Sequence, residues 1–393
     1  MKWTNKRHEL DYYAKELVAH LQDRDKYYIF GAGVLGKGLL PLFKAYEQEV
    51  VFIDNSAEKR ASEINGVEVI SLDSYLQKRD GPIIVAASVK NTSVIVEQLE
   101  TSQLKRRTDF WLYQEFLEYI FPIISTYYYD KAFVSLAQIS LTERCSLKCK
   151  NCAHGCYAVD NRMAKDLTLE QVYKSADSFF GKVDYIWEFV LIGGEPLLYK
   201  CLPEAIQYIG ERYRTQMGIF SITTNGTIVP DEITLTMCKK YNVLFRISNY
   251  SGTIPRLTTI YDRLIAKLQG QDIEYELGKT ESQWTDYGFD HVNRNVSKEE
   301  LIKVFDACQT TCREIRENKY YFCVMARSVS ENVGFHIGQN DYLDLDALQG
   351  EDYKKELLEF NLGYSEKGYL DMCNYCYGAE RENYPIPAAE QVK

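Results

Sequence analysis

The sequence has no apolar run near the ~20 residues that a membrane-spanning helix needs. Its longest greasy patch, Phe116 to Ile124, is broken by Glu118 and Pro122. It has no surplus of positive charge either. The 46 Lys and Arg face 56 Asp and Glu, for a formal net charge of −10. That excludes a broad nucleic-acid surface, although small basic pockets stay open because net charge is an average. Histidine is scarce, at five, which singles out any histidine beside a motif. No signal peptide is read at the N-terminus: Met1 to His8 runs into an amphipathic stretch, not an apolar core. A cytoplasmic chain is expected.

What the chain has in quantity is cysteine and tyrosine. The 11 cysteines cluster at 145–156 and 308–376. In an intracellular chain such clusters point to metal sites, not disulfides. The 31 tyrosines read as half-buried packing residues, some lining a polar substrate pocket. A length of 393 residues allows two or three domains with a sizeable core.

The chain is organised around Cys145-Ser-Leu-Lys-Cys149-Lys-Asn-Cys152, which follows the apolar run Ala137 to Thr142. A short loop with this C-x₃-C-x₂-C spacing can wrap a cubane [4Fe–4S] cluster, and three ligands leave one iron open. A structural zinc site is the other reading, but it usually takes four ligands in two pairs. Downstream, the apolar run Ile186 to Ile192 ends in Gly193-Gly194-Glu195-Pro196. Glycines there let the chain pass close to a ligand. A further apolar run ends in Thr223-Thr224-Asn225-Gly226.

These three motifs, in this order and each at the end of a predicted strand, resemble the radical S-adenosylmethionine (SAM) enzymes. The resemblance covers about residues 133–380. It implies a [4Fe–4S] cluster on Cys145, Cys149 and Cys152 whose open iron chelates SAM, and release of a 5′-deoxyadenosyl radical. It implies an electron donor such as flavodoxin or ferredoxin. It also implies SAM contacts at Gly193, Gly194, Glu195, Pro196, Thr224, Asn225, Ser248 and Asn249. Arg246 is read either as pointing into the barrel at the SAM carboxylate or as facing solvent. Two departures stand out. Asn151 occupies a position where many members carry an aromatic, and Asn249 replaces the commoner Asp or Glu.

The fold class expected is α/β. It comprises a partial (β/α)₆ barrel over residues 126–300, a small doubly wound domain over 1–125 and a cysteine-bearing extension over 301–393. In the barrel, strands at Ala132–Leu141, Ile186–Ile192, Met217–Thr223, Val243–Ile247 and Ile273–Leu277 alternate with helices, the pattern of a parallel sheet. The sixth strand is not placed. Thr168 and Gln171 fit a capping box. Ligands are expected at the C-terminal strand ends. In the first domain, Gly31-Ala-Gly33-Val-Leu-Gly36 follows a buried strand, and Asp54 ends the next one. The turn amides and helix N-terminus make an anion site, and Asp54 can accept from a ribose diol. This stretch resembles the small Rossmann-like domains of sugar and surface-polysaccharide enzymes. Binding of a nucleotide, binding of a nucleotide-linked substrate and pure docking remain open. NAD chemistry lacks a visible catalytic dyad. Trp111 to Ile124 reads as a helical connector.

Near the first motif, His154, Cys156 and Tyr157 are candidate substrate neighbours. His154 is read as a substrate contact or as a loop side chain in water. Cys156 is read as a hydrogen-atom donor or as a buried thiol. Trp284 and Asp286, in an expected polar loop, are read as a sugar or peptide platform or as a cap on the barrel rim. Toward the C-terminus, Cys308, Cys312 and Cys323, with Cys373-Asn-Tyr-Cys376, offer five thiols for four metal positions around a hairpin at 316–322. The pattern resembles the auxiliary-cluster extension of radical SAM enzymes, holding one further [4Fe–4S]; zinc is the alternative. Cys323, Cys373 and Cys376 are common to either choice, and Cys308 and Cys312 compete for the fourth place. Asn318 replaces the usual turn glycine, and a single C-x-x-C argues against a third cluster. Beyond Gly378 an irregular tail is expected.

The combined expectation is a radical SAM enzyme that takes hydrogen from a sugar, sugar nucleotide or related surface-glycan precursor, by epimerisation or oxidation. A peptide-modifying enzyme and a non-catalytic iron–sulfur regulatory protein are the alternatives.

Overall fold

The computed structural model describes residues 10–21, 26–61, 63–280, 283–289, 293–379 and 385–392. Residues 1–8, on which the signal-peptide reading rests, lie outside them. Two compact units are formed, within residues 9–135 and within residues 136–393.

The first unit is built on five parallel strands: β1 (Lys26–Phe30), β2 (Glu49–Ile53), β3 (Val69–Ile70), β4 (Ile83–Val85) and β5 (Phe110–Leu112). Their order is β3-β2-β1-β4-β5. The central strands are near-continuous apolar runs because helices cover both faces of such a sheet. Tyr28, Phe30, Ile53, Ile83 and Val85 are buried together in its core. Strand order reverses between β1 and β4, the switch point where open α/β sheets take ligands. Trp111 departs from the expected connector. Phe110-Trp-Leu pairs in parallel with β4, and helical turns begin only at Tyr113.

The second unit holds β6 (Phe133–Ser140, its first residues in the other unit), β7 (Tyr185–Ile192), β8 (Met217–Thr224), β9 (Val243–Ile247) and β10 (Tyr275–Leu277). Helices Leu169–Phe180, Leu202–Tyr213, Glu232–Lys240 and Leu257–Gly270 connect them. The helix after the first cysteine motif starts as its sequence dictates. Thr168 Oγ1 accepts from Gln171 N–H and Gln171 Oε1 accepts from Thr168 N–H, closing a capping box.

Three more strands extend the same sheet, β12 (Arg313–Arg316), β13 (Lys319–Tyr321) and β14 (Tyr342–Asp344), while β11 (Gln283–Thr285) stands apart from it. The order is β10-β9-β8-β7-β6-β12-β13-β14. β12 lies parallel to β6, on the side away from β7, and turns into β13 as the expected hairpin. The segment after residue 301 therefore continues the barrel's sheet. The tail departs from expectation, because β15 (Pro385–Pro387) pairs antiparallel with β11. Proline tolerates this only at a sheet edge, where its missing N–H faces no partner. Among the described residues, no helix is long and apolar enough to cross a membrane.

Candidate active site

β6 ends at Ser140, and the cysteine loop springs from it. Thr142 Oγ1 donates to Asp166 at 2.6 Å, and Arg144 reaches the same carboxylate and the Leu198 carbonyl. This clamp closes the loop from 142 to 166. Inside it, Asn161 exchanges two bonds with the Cys145 backbone, and Lys148 Nζ donates to the carbonyls of Cys156 and Val159. These side-chain bonds hold the loop to itself and to the strand ends.

Three thiols are presented there. Burial pushes Cys145 and Cys149 up to about 12, and the three influence one another electrostatically. Cys152 goes the other way: the neighbouring Cys156 thiol lowers it, against the opposing effect of burial. Side-chain amides point at two of the sulfurs: Asn225 Nδ2 lies 3.5 Å from Cys145 Sγ, and Gln391 Nε2 lies 3.1 Å from Cys149 Sγ. Among the described residues, no three His, Cys, Asp or Glu side chains converge as one metal ion requires. A cubane makes a different demand, since each thiolate binds its own iron. Buried thiols with N–H donors aimed at sulfur suit that group.

The Gly193–Pro196 turn docks against this loop. A Cβ on Gly194 would stand 2.2 Å from the Arg144 carbonyl oxygen, so only glycine fits. Gly194 N–H and Glu195 N–H donate to the carbonyls of Thr142 and Arg144. Glu195 is fully buried; burial raises its carboxyl to about 7 against the pull of its donors. It accepts from Thr224 Oγ1 at 2.8 Å and from Asn225 N–H at 2.9 Å. The carboxyl thus ties the ends of β7 and β8 together, while Pro196 opens the next short helical turn. Ser248 N–H bonds the Thr224 carbonyl, and Asn249 closes its own turn through Ser251 and reaches Gly278.

Arg246 lies on the same sheet face as Glu188, but its guanidinium is already paired. Glu188 binds it twice, from 2.5 Å, and Glu276 caps the other side. A deeper ion cluster was not legible in the sequence. Arg327, fully buried, joins Glu143 on the cysteine loop to Glu314 on β12. Burial disfavours its charge, yet Glu314 and Glu143 hold its pKa above the usual range. His154 is half-buried here, not a side chain in water. Its Nδ1 lies 3.4 Å from both Ser140 Oγ and Ser328 Oγ. Cys156 is buried, and Tyr157 is half-buried beside it.

The C-terminal cysteines divide. Gly378 N–H and Ala379 N–H point at the sulfurs of Cys376 and Cys308, each at 3.3 Å. Cys376 feels Cys308 and Cys323, and Cys373 feels Cys376 and Cys323. Burial raises the Cys312 thiol, and the Cys312 carbonyl accepts from Val324 N–H, next to Cys323. Tyr287, which the sequence did not single out, feels Cys376, Cys312 and Cys308 and also Cys152 of the first motif. Trp284 and Asp286, read as a platform or as a cap on the barrel rim, follow each other closely in the chain. Trp284 lies in β11, edge-on to Tyr250 at 5.4 Å, and Asp286 accepts from Gly288 N–H to close its own turn.

The first unit has a separate cleft of about 480 Å³ at the ends of β1 and β4, lined by Gly31, Gly33, Asp54, Lys59 and Ala86 among others. Gly31 is held at φ +114, where a Cβ would meet the Ala86 carbonyl at 2.5 Å. Asp54 is not the open acceptor the sequence suggests. Its carboxylate takes Ala32 N–H, Ser56 N–H and Lys59 Nζ. Burial opposes its charge, but these donors hold its pKa below the usual value.

A sheet whose parallel strands alternate with helices thus gathers the three motifs at one set of strand ends. Residues 139–248 match the family model described as the radical SAM superfamily, a family that implies a [4Fe–4S] cluster and S-adenosylmethionine. No curated protein matches the chain. Among solved structures, "Native anSMEcpe with bound AdoMet" is 19% identical, with a TM-score of 0.30, over 37% of this chain and 43% of that one. "Crystal structure of BtrN in complex with AdoMet and 2-DOIA" is 16% identical, with a TM-score of 0.39, over 66% of this chain and 97% of that one. The chain thus spans less than half the length of the first of these.

Proposed function

We propose that the chain is a radical SAM enzyme that takes a hydrogen atom from a C–H bond of a sugar, a nucleotide-linked sugar or a related glycan precursor, with a net oxidation. One observation carries the radical chemistry: Glu195 joins the Gly193–Pro196 turn to Thr224 and Asn225, and both abut the loop of Cys145, Cys149 and Cys152. Those three thiols would hold a [4Fe–4S] cluster, which supplies the electron that cleaves S-adenosylmethionine to the 5′-deoxyadenosyl radical when reduced by a flavodoxin or ferredoxin. In this reading Glu195 is a positioning residue. It keeps two strand ends in register around the ligand, and its backbone neighbours present the polar groups.

Cys308, Cys323, Cys373 and Cys376 are the four we assign to a second cluster, with Cys312 left outside it. A second redox group favours oxidation over epimerisation. The sugar preference rests on the first unit, whose Gly31–Gly36 turn and cleft suit a phosphate-bearing ligand. With Asp54 and Lys59 paired to each other, the amides at the start of the helix Val34–Ala45 are the groups placed to meet that phosphate.

The test supplies nucleotide sugars deuterated on the ring, with S-adenosylmethionine and a reductant. Deuterium should pass to 5′-deoxyadenosine, and the product should have two hydrogens fewer than the substrate. Cys156→Ala should still form that product. Product differing from the substrate only by the replacement of one deuterium with solvent hydrogen, lost in Cys156→Ala, would replace the oxidation by an epimerisation. No deuterium transfer from any nucleotide sugar would remove the substrate class.

A further inference from the structure

Residues 385–392 return to the loop that carries the first cysteine motif. After β15, Ala388 and Ala389 are fully buried. The chain then runs antiparallel to the loop. Lys150 N–H donates to the Glu390 carbonyl and Val392 N–H to the Lys148 carbonyl, each at 2.7 Å, with Gln391 opposite Cys149. This pairing lays the Gln391 side chain on the cysteine. Its Nε2 is 3.1 Å from Cys149 Sγ, and its Oε1 is 2.7 Å from Lys148 N.

The two ends of a side-chain amide are told apart by their partners. Both partners here work in one direction only. Lys148 N–H can only donate, so it faces the amide oxygen. The Ala389 carbonyl, 2.7 Å from Nε2, can only accept, so it faces the NH₂ group. Turning the amide over would set N–H against N–H and oxygen against oxygen. One hydrogen of the NH₂ group is therefore committed to Ala389, and the other is left for the sulfur. The corresponding bond from Asn225 to Cys145 Sγ is longer, at 3.5 Å.

We infer that Gln391 is a positioning residue for the cluster ligand Cys149, and that its N–H···S bond raises the reduction potential of the SAM-binding cluster. Reduction adds negative charge to the cluster and its thiolates, so a donor held on a ligand sulfur stabilises the reduced form more than the oxidised one. The inference rests on the radical SAM reading of Cys145, Cys149 and Cys152.

The test uses the full chain, purified anaerobically, with Gln391→Leu and Gln391→Glu. Leucine removes the donor and leaves the backbone pairing. Glutamate keeps the oxygen for Lys148 and turns a second oxygen on the sulfur. Iron content, the change in the reduced cluster's EPR signal on adding S-adenosylmethionine, and the midpoint potential are measured together. Iron should be unchanged, and the midpoint should fall from wild type to the leucine variant and again to the glutamate variant. At a fixed potential the reduced fraction should drop severalfold. Equal midpoints at equal iron would overturn the role of Gln391. A wild-type protein with no SAM-responsive cluster would instead overturn the underlying reading, and this inference with it. Should a variant bind less iron, the wild type decides alone. Glutamine labelled with ¹⁵N must then give a nitrogen coupling to the reduced cluster in pulsed EPR, and its absence overturns the proposal.

Discussion

Anaerobically reconstituted protein should hold roughly eight irons, two cubanes' worth, and the triple variant Cys145→Ala, Cys149→Ala, Cys152→Ala should hold about half of them. The reason is that the two cysteine sets are built by different loops. The first depends on the clamp of Thr142 and Arg144 on Asp166, and the second on backbone N–H groups at Gly378 and Ala379. Removing one set should leave the other standing. Single changes extend the test to the choice the sequence left open. Cys308→Ala should lower the remaining iron, because Ala379 N–H is aimed at the Cys308 sulfur, whereas Cys312→Ala should not. The opposite pattern would move the fourth ligand to Cys312.

The largest loss of stability from one side chain should come from Arg327→Met. Arg327 and Glu314 are both fully buried, and their side chains approach to 2.5 Å. Glu143 would keep Arg316 and Asn332 as partners, but Glu314 would lose its cation. Stranding a buried charge in this way typically costs about 3–5 kcal/mol. The midpoint of urea unfolding of the second unit should fall accordingly. The double variant Arg327→Met, Glu314→Gln should recover part of the loss, because a neutral amide needs no counter-charge. A double variant no better than the single one would show that Arg327 acts by packing alone.

Much of this was readable in one dimension, for identifiable reasons. A βα repeat carries its own period, so β7, β8 and β9 and the capping box at Thr168 fall where the pattern puts them. The three motifs are contiguous in sequence, and each is short. What escaped were pairings between distant residues of ordinary type. Gln391 reaches Cys149, and Arg327 joins Glu143 to Glu314, with nothing local to mark them. The tail was misread because Pro-Ile-Pro has weak strand character on its own and becomes a strand only when β11 offers an edge. Trp111 was assigned to a connector because the helical residues after it outweighed three β-formers. Sequence cannot reveal that Lys59 pairs with Asp54, or that Glu188 and Glu276 hold Arg246.

The central claim is that the Cys145–Cys152 loop supports reductive cleavage of S-adenosylmethionine. Its most direct test is to incubate the reconstituted wild-type protein with S-adenosylmethionine and a strong one-electron reductant and to measure 5′-deoxyadenosine and methionine. The two should form in equal amounts, and the triple alanine variant should form neither. Iron-loaded wild-type protein that forms no 5′-deoxyadenosine, or a triple variant that forms as much as the wild type, would contradict it.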